Sequence, residues 1–556
     1  MARHSTQCIL AFLTASCAIA QPVISSTEVV NSASYLNQGL PGSGIAQGSI
    51  FTIFGSGLGP NTLLQAGPLP LQTSLGGTSV AVTVNGQTVK AFILAAVGSQ
   101  VNALLPSTTP TGNGTAIVTY TNQPSVPAPV EIVSASFAPF TFNSRGSGQA
   151  IATDLNYQVN SIIHTFHPGD WVVLWGTGLG PINGDDSNQP PVGNVGSPTV
   201  HVGNASLTPY YAGRSVDYPG LDQVTFQVPS GIQGCSVPVA VEANGLVGGS
   251  ATIAVSTSGQ TCSDSVLGQD LVGKLAAGGT VDFGFAQVFA TLLNAGGLSF
   301  GNTPDQASAA FTPDDVSATF SEFTPPTAGL ASYGVSQGYC ITNTRNPDAS
   351  PAQLDAGAGV TMQSLQILTQ GLAPVTAPRL YGGDYFGAFY SQGDNFFSTY
   401  FDYAVSGPGG AKVGPFSVTD ATWFPMVQFS SIAVGQTLSR SGDLTVTWTG
   451  GFPTLQEAQV TIGGVSWPTP AQNIAGYFLC TAPLSTQSFT IPKWVLSTLP
   501  PSGTGEVTLN GVASASYPLG YVWIGQPNNP VTFQATGLDK GILMEQFFNG
   551  YPVNFQ

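Results

Sequence analysis

Short apolar runs separated by turn residues are the dominant pattern along this chain. The segment SIFTIFGSGLGP (49–60) is a five-residue apolar run followed by closely spaced glycines and a proline, and DWVVLWGTGLGP (170–181) repeats it. Apolar runs of this length, bounded by turn signals, are typical of strands buried in a sandwich core. Glycine permits positive φ in the turn, and proline ends the hydrogen-bond ladder. The pattern predicts a buried strand followed by a tight turn in both places.

The two segments belong to a longer repeat. In the first copy the chain continues with VAVTVNG (80–86) and QVNALLPS (100–107), and in the second with TVHVGN (199–204) and QVTFQVPS (223–230). Alternating apolar residues before an Asn-Gly pair are a strong hairpin signal. Two copies of a unit of short strands with regular turns predict two β-sandwich domains in tandem. We place them at residues 27–137 and 138–258.

The second half of the chain keeps the same short, broken apolar runs. LTVTWTGG (444–451) and AQVTIGG (458–464) are typical of successive strands, and we predict a β-rich domain at 263–425 and a further β-sandwich at 426–556. The segment DLVGKLAAGGTVDFGFAQVFATLL (270–293) fits a helix or a hairpin, and its glycines favour strands. The whole chain is therefore predicted to be all-β.

Several motifs carry a resemblance to a known family. NSASYLNQGLPGSGIAQGSIFTIFGSGLGP, HPGDWVVLWGTGLGP and DQVTFQVPSGIQGCSVPVAVEANG occur in this order within residues 27–257. Together they resemble the two-repeat immunoglobulin-like domain of secreted acidobacterial proteins of the Solibacter type. The resemblance implies tandem immunoglobulin-like β-sandwich domains and an extracellular location. It implies no catalytic residues, because the family has none assigned.

Composition and charge narrow the class of partner. Only 7% of the residues are charged, 42% are hydrophobic, and the formal net charge is −16. No cluster of Lys and Arg occurs, so the electrostatic footprint that nucleic acids require is missing. The same acidity disfavours attraction to an anionic membrane surface. The partners left open are extracellular proteins and glycans.

The N-terminus has the features of a secretory signal peptide. Arg3 precedes an apolar stretch, and Ala18-Ile19-Ala20 provides a small-residue cleavage site. We therefore expect a signal peptide at residues 1–20 and a secreted or cell-surface bacterial protein, with lipidation at Cys17 as the rival to cleavage. No later apolar run reaches the roughly 18 residues that a spanning helix needs.

Four cysteines remain after residue 20, namely Cys235, Cys262, Cys340 and Cys480. An even number in an oxidising compartment predicts disulfides, and four cysteines allow three pairings. Proximity in sequence favours Cys235 with Cys262, which leaves Cys340 for Cys480. Metal ligation is the rival interpretation, although no pair has the CxxC spacing.

Two groups of residues are candidates for metal ligation. The loop with Asn183, Asp185 and Asp186 follows the second glycine turn and offers the oxygen ligands that Ca²⁺ prefers, without the spacing of an EF-hand. No cofactor other than this calcium ion is predicted. His164, His167 and His201 are the other group. Strand geometry places the first two on opposite faces and turns His201 away from its core, so solvent-facing histidines are expected.

Two motifs match catalytic or nucleotide-binding patterns only in part. Gly55-Ser56-Gly57-Leu58-Gly59 lacks the third glycine and the helix of a dinucleotide loop, so a structural turn is expected. Gly334-Val335-Ser336-Gln337-Gly338 matches a nucleophile elbow, but every histidine precedes it, against the order found in α/β-hydrolases. No catalytic residue is predicted.

An aromatic-rich segment is the candidate ligand site. YGGDYFGAFYSQGDNFFSTYFDY (381–403) contains Tyr385, Tyr390 and Tyr400, whose rings would stack on sugars if they were exposed. The alternative is that they fill the interior of a sheet. Carboxylate pairs for glycoside hydrolysis are also open, and no local feature selects among the available glutamates, which are Glu242, Glu322, Glu457, Glu506 and Glu545.

These observations favour a non-catalytic role in adhesion, scaffolding or binding at the cell surface. The alternatives are a carbohydrate-binding or carbohydrate-active protein and a subunit of an extracellular filament or surface array, which would assemble through exposed strand edges.

Overall fold

The computed structural model describes residues 21–293, 314–323, 335–342, 354–364, 375–381, 384–389, 400–423, 426–454, 458–470, 474–509 and 512–556. The predicted signal peptide at residues 1–20 lies outside them.

The first half of the chain contains twenty strands between residues 21 and 255. Those up to residue 133 are β1 (Val23–Asn31), β2 (Ile45–Ala46), β3 (Ile50–Ser56), β4 (Leu64–Gln65), β5 (Thr78–Val84), β6 (Gln87–Lys90), β7 (Phe92–Val97), β8 (Gln100–Leu104), β9 (Gly112–Tyr120), β10 (Gln123–Pro124) and β11 (Ala128–Val133). The next are β12 (Ala138–Pro139), β13 (Ala152–Thr153), β14 (Trp171–Thr177), β15 (Thr199–Val202), β16 (Ala205–Leu207), β17 (Tyr211–Arg214), β18 (Asp222–Gln227), β19 (Gly234–Ala243) and β20 (Leu246–Val255).

The described second half contains 19 strands and two α-helices, α1 (Gly268–Ala276) and α2 (Lys493–Leu496). Its first strands are β21 (Val281–Leu293), β22 (Asp314–Phe323), β23 (Cys340–Thr342), β24 (Gly359–Ser364), β25 (Val375–Tyr381), β26 (Asp384–Phe389), β27 (Tyr400–Gly407), β28 (Phe416–Trp423) and β29 (Val427–Phe429). The remaining strands are β30 (Gln436–Leu438), β31 (Leu444–Gly450), β32 (Gln459–Ser466), β33 (Gly476–Pro483), β34 (Ser488–Ile491), β35 (Thr504–Leu509), β36 (Val512–Pro518), β37 (Gly520–Pro527), β38 (Val531–Phe533) and β39 (Lys540–Phe555).

The first half consists of two sandwiches, each built from two sheets. In the first sandwich, sheet β1-β3-β8-β7-β4 faces sheet β2-β11-β9-β5-β6, and their alternating apolar residues, such as Ile53 and Val82, form one core. In the second sandwich, sheet β12-β14-β18-β17 faces sheet β16-β15-β19-β20 around a separate core with Leu174 and Val239. The predicted all-β fold with tandem immunoglobulin-like sandwiches is confirmed.

A buried ion pair connects the two sandwiches. The guanidinium of Arg214 pairs with Asp222 and also donates to the carbonyl oxygens of Gly48 (2.8 Å) and Gly180 (2.6 Å). Gly48 belongs to the first sandwich, whereas Gly180 lies in the glycine turn of the second. Asp222 in turn accepts a hydrogen bond from the Leu179 amide. The buried ion pair therefore joins the glycine turn of the second sandwich to the first sandwich.

The second half is organised around one large sheet with the order β23-β33-β32-β37-β39-β21-β22-β26-β25-β24-β27-β28. The C-terminal strand β39 runs parallel to β21, with Phe283 opposite Lys540 and Leu293 opposite Gly550. The sheet therefore continues across the boundary that we predicted at residues 425 and 426. We predicted that boundary from local turn signals. Such signals do not reveal the pairing of β21 with β39, which joins segments more than 250 residues apart.

The segment 270–293 is divided between a helix and a single strand. Its first part lies in α1, where Leu271, Val272 and Leu275 are buried on one side, and the rest forms β21. Our preference for strands throughout was therefore wrong for residues 270–276. The glycines that favoured strands lie partly beyond the helix, at Gly278 and Gly279.

Residues 335–342 attach the second sandwich to the large sheet. Val335, Tyr339 and Ile341 are buried in the core of the second sandwich, whereas Cys340 is buried in the core beneath the large sheet. Cys340 forms a disulfide with Cys480, and Cys235 forms one with Cys262. The disulfides expected from the even cysteine count are thus present, in the pairing that proximity favoured.

Candidate functional site

The outward face of sheet β12-β14-β18-β17 in the second sandwich carries large aromatic side chains. Along β14, Val172 and Leu174 are buried in the core, and Trp171 and Trp175 point to the other side. Successive strand residues alternate between the two faces, and residues four apart lie about 13 Å from each other along the strand. Both indoles are half-buried, with Val173 buried between them.

A tyrosine packs against each of these indoles. Tyr210 meets Trp171 edge to face, with ring centroids 5.3 Å apart, and Tyr157 is stacked on Trp175 at 6.4 Å. Tyr157 is 72% exposed and Tyr210 is 77% exposed. Each pair therefore exposes aromatic surface to solvent next to a half-buried indole.

Uncharged polar side chains lie between the two aromatic pairs. In the register of β14 and β18, Gln227 stands opposite Trp171, Thr225 opposite Val173, and Gln223 opposite Trp175. None of the side chains that these two strands place on the outward face is charged. We call this set the aromatic face, consisting of Tyr157, Trp171, Trp175, Tyr210, Gln223, Thr225 and Gln227.

Local hydrogen bonds fix the orientation of the aromatic face. The indole of Trp175 donates to Thr153 Oγ1 at 3.2 Å, and the amide of Gln223 donates to Thr225 Oγ1 at 3.0 Å. Tyr157 lies in a turn where Asp154 accepts from the amides of Asn156 and Gln158, both at 2.8 Å. A surface held in this way loses little side-chain entropy when a ligand binds.

The first sandwich does not have an equivalent surface. In the repeated motif, Ile50 and Phe54 occupy the positions of Trp171 and Trp175. The second sandwich covers this part of the first, because a Cβ added at Gly220 would lie only 2.8 Å from Ile50 Cγ1, and the Ile50 amide donates to Thr177 Oγ1. Phe54 packs on Tyr35 with ring centroids 6.2 Å apart, so the first sandwich retains one aromatic pair, and the two tryptophans are specific to the second sandwich.

The structure corrects one residue of the ligand site predicted from the sequence, Tyr385. Tyr385 is only 1% exposed, and its hydroxyl hydrogen-bonds with the Ala356 amide and the Gly357 carbonyl oxygen. It packs edge to face on Phe320 in the core, so it cannot stack on an external sugar. Tyr400 is the first residue of β27, and Tyr390 lies outside the described residues.

The carboxylates predicted to bind calcium have partners within the protein. Asp186 is buried and accepts from the amide and the hydroxyl of Ser107 in the first sandwich, both at 2.7 Å. Asp185 accepts from Ser187 and Asn188, which lowers its pKa. Asn183 is exposed. Within the described ranges, no group of three or more His, Cys, Asp or Glu side chains is arranged to hold a metal ion.

The three histidines do not converge. His164 is exposed, and His167 Nδ1 lies 3.1 Å from Asp170 Oδ2. The expectation that His201 faces solvent was wrong, because its side chain leaves the second sandwich but is covered by Trp494 of α2. His201 Nδ1 lies 2.9 Å from Ser206 Oγ, and its Nε2 lies 3.2 Å from Glu242 Oε2.

The remaining motifs have structural roles where they are described. Ser336 Oγ accepts from the Ser236 amide at 2.9 Å and so helps to join residues 335–342 to the second sandwich. The second glycine turn has positive φ at Gly178 (111°) and Gly180 (122°), as a structural turn requires.

The glutamates that the sequence left open for catalysis lie in different parts of the structure. Glu242 contacts His201, and Glu545 is buried beside Asn528 and Asp420. Glu322 stands opposite Asp282 in the pairing of β21 and β22. Glu506 lies in β35, and Glu457 lies outside the described residues.

Sequence reasoning missed the aromatic face although its signal is present. WVVLW was interpreted as a strand buried in a sandwich core, because all five residues are apolar. Its two tryptophans are i and i+4, so both lie on the face opposite Val172 and Leu174. The matching run IFTIF has no tryptophan, and this difference between the copies is the feature that could have identified the site.

Comparisons with known proteins give distant likenesses only. No protein-family model matches the chain, and no curated protein matches it. A fragment of the surface layer protein SbsC, domains 4–9, is 11% identical with a TM-score of 0.18, and the match covers 96% of this chain and 65% of that one. SGBP-B from a complex xyloglucan utilization locus in Bacteroides uniformis is 10% identical with a TM-score of 0.15, covering 96% of this chain and 100% of that one. Domains A168–A170 of titin are 11% identical with a TM-score of 0.13, and the match covers 72% of this chain and 98% of that one.

No helix among the described residues is long and apolar enough to cross a membrane.

Proposed function

We propose that this chain is an exported, non-catalytic protein of the bacterial cell surface or surrounding matrix that binds an uncharged polysaccharide. The aromatic face makes the contact, and the tandem sandwiches present it on a rigid frame. The two disulfides support an oxidising, extracellular location.

The chemistry of the aromatic face suits a sugar polymer. Sugar rings have apolar C–H faces that pack on aromatic rings, and hydroxyl edges that donate and accept hydrogen bonds. Trp171 and Trp175 provide two such platforms on one strand, and the amides of Gln223 and Gln227 both donate and accept. Two tryptophans on one strand favour a ligand with repeated sugar units, because each indole can contact one ring of the polymer.

Charge selects against acidic polymers. The chain carries a formal net charge of −16, which repels polyanions at long range. The outward side chains of β14 and β18 provide no cation to offset that repulsion. An uncharged polysaccharide is therefore the ligand class that the surface favours.

The observation that carries this proposal is the pair of exposed tyrosines, each packed on a tryptophan, at the two ends of an uncharged sheet face. The test is retention of the purified chain on insoluble cellulose, chitin, mannan and xylan. We expect retention on at least one polymer, and we expect Trp171→Ala and Trp175→Ala each to reduce it at least tenfold.

Phe54→Ala is the matched control, because it removes the aromatic ring at the corresponding position of the first sandwich. It should leave retention unchanged, and circular dichroism should show that all variants remain folded. Equal retention of the parent chain and both tryptophan variants, or no retention on any of the four polymers, would disprove the proposal.

A further inference from the structure

A large cleft lies between the second sandwich and the outer face of the large sheet. Its volume is about 1540 Å³, above the roughly 300–1,000 Å³ of sites for small molecules. Strands β32, β33, β37 and β39 provide the floor, and residues 255–266 with the Cys235–Cys262 disulfide provide one wall. A cleft of this size is suited to an oligomer.

The floor presents aromatic rings that lie flat. Trp523 of β37 stands opposite Gly463 of β32, and a Cβ added at Gly463 would lie 2.1 Å from the indole. The indole therefore lies across the glycine backbone, and its half-exposed side is available to a ligand. Phe548 of β39 stands opposite Gly525 and its ring is buried against it, with Cδ1 2.6 Å from a Cβ added at Gly525.

The rest of the lining is polar but almost without charge. Asp264 is the single charged residue among the described residues that line the cleft. Ten lining residues are serine or threonine, and six are glutamines, namely Gln233, Gln269, Gln287, Gln337, Gln459 and Gln546. Each glutamine amide both donates and accepts, which matches the hydroxyl groups of a sugar.

The wall that residues 335–342 form is fixed to β33 of the floor. The Gly338 amide donates to the Thr481 carbonyl at 2.9 Å, and the Thr481 amide donates to the Tyr339 carbonyl at 3.0 Å. The Cys340–Cys480 disulfide joins the same two segments. A preformed cleft spares a ligand the entropy cost of ordering its site.

We propose that this cleft binds a single chain of an uncharged oligosaccharide, with Trp523 as its stacking platform and Gln459 and Gln546 as hydrogen-bonding groups. It is a second site, separate from the aromatic face, and it does not depend on that face. The concave cleft suits one soluble chain, whereas the flat face suits the surface of a packed polymer.

The test is isothermal titration calorimetry of the full mature chain with soluble cellohexaose, maltohexaose, xylohexaose and mannohexaose. We expect one or more of these to bind. Trp523→Ala should weaken binding at least tenfold, and Gln546→Ala should weaken it several-fold. Trp523→Phe should retain part of the affinity, which serves as the second variant if Trp523→Ala unfolds.

Phe54→Ala, which lies outside the cleft and the aromatic face, is the control and should leave hexasaccharide binding unchanged. Trp523→Ala should leave retention on insoluble polymers unchanged, so the two sites can fail separately. No binding of any hexasaccharide, or binding that Trp523→Phe and Gln546→Ala leave unchanged, would overturn this proposal.

Discussion

The imidazole of His201 lies against the indole of Trp494, with ring centroids 5.2 Å apart and the ring planes inclined by 14°. His201 belongs to β15 of the second sandwich, and Trp494 belongs to α2 of the second half. Glu242, Asp443 and Lys493 line the same small cavity between the two units. A titratable side chain therefore lies in a contact that joins two parts of the fold.

This contact makes stability sensitive to acid. Burial lowers the pKa of His201 from its ordinary 6.5, although Glu242 opposes the shift. The unfolded chain takes up a proton near pH 6.5, whereas the folded chain resists it, so the contribution of His201 to the free energy of unfolding should fall below that pH by up to about 1.4 kcal/mol per pH unit. Thermal melts between pH 4.5 and 8 measure this slope.

His201→Gln should remove this contribution, because glutamine does not titrate, so the variant should lose less stability than the parent chain on acidification below pH 6.5. His167→Gln is the control, since His167 is only half-buried and lies at a different place. If the parent chain and His201→Gln lose stability in parallel on acidification, His201 is not the group responsible.

Arg214 and Asp222 form the buried pair that connects the two sandwiches, with side chains 1% and 0% exposed. Arg214→Ala leaves the Asp222 carboxylate buried without its partner and removes the donors to Gly48 and Gly180. We expect a loss of about 3–5 kcal/mol in the free energy of unfolding, measured by urea denaturation. Asp222→Leu combined with Arg214→Met should recover much of that loss, because no buried charge remains.

Arg145→Ala, on the exposed surface of the same sandwich, should change stability by less than about 0.5 kcal/mol. An Arg214→Ala loss as small as that of the control would show that the pair does not stabilise the junction.

The Cys340–Cys480 disulfide should contribute more to stability than the Cys235–Cys262 disulfide. Their sequence separations are 140 and 27 residues, and the chain-entropy model gives about 5 and about 3.5 kcal/mol respectively. Urea denaturation of the two double Cys→Ala variants measures the difference. A larger loss from Cys235→Ala with Cys262→Ala would contradict the expected order.

The local pattern of apolar and polar residues was enough to predict strands in the two sandwiches. Val80, Val82 and Val84 alternate, and all three are buried in β5 as that alternation predicts. The pairing of β21 with β39 has no comparable local signal, because it depends on which distant strand is available to complete the sheet.

The candidate sites were harder to predict because exposure depends on tertiary packing. Tyr385 and Trp171 both lie in aromatic-rich strands, yet the first packs on Phe320 in a core and the second lies on an outward sheet face. His201 shows the same limit of local patterns. Its outward direction follows from strand alternation, but its cover by Trp494 comes from a residue almost 300 positions away.

Glu545 should cause the opposite pH response to His201. Its side chain is 1% exposed, and burial together with the negative charge of Asp420 raises its pKa from an ordinary 4.5 to about 8. Between these two pH values the folded chain retains a proton that the unfolded chain releases. The contribution of Glu545 to stability should therefore decline as the pH rises from about 4.5 to about 8, by up to about 1.4 kcal/mol per pH unit, and level off above.

Glu545→Gln removes this titration and retains a side chain that can hydrogen-bond to Asn528, which donates to Glu545 Oε2 at 3.4 Å. The variant should be more stable than the parent chain at pH 8.5 and should lose less stability between pH 5 and 8.5. Glu131→Gln, on the exposed surface of the first sandwich, is the matched control and should follow the parent chain. If the melting temperature of Glu545→Gln follows that of the parent chain across this range, the buried carboxyl group does not cause the loss of stability at alkaline pH.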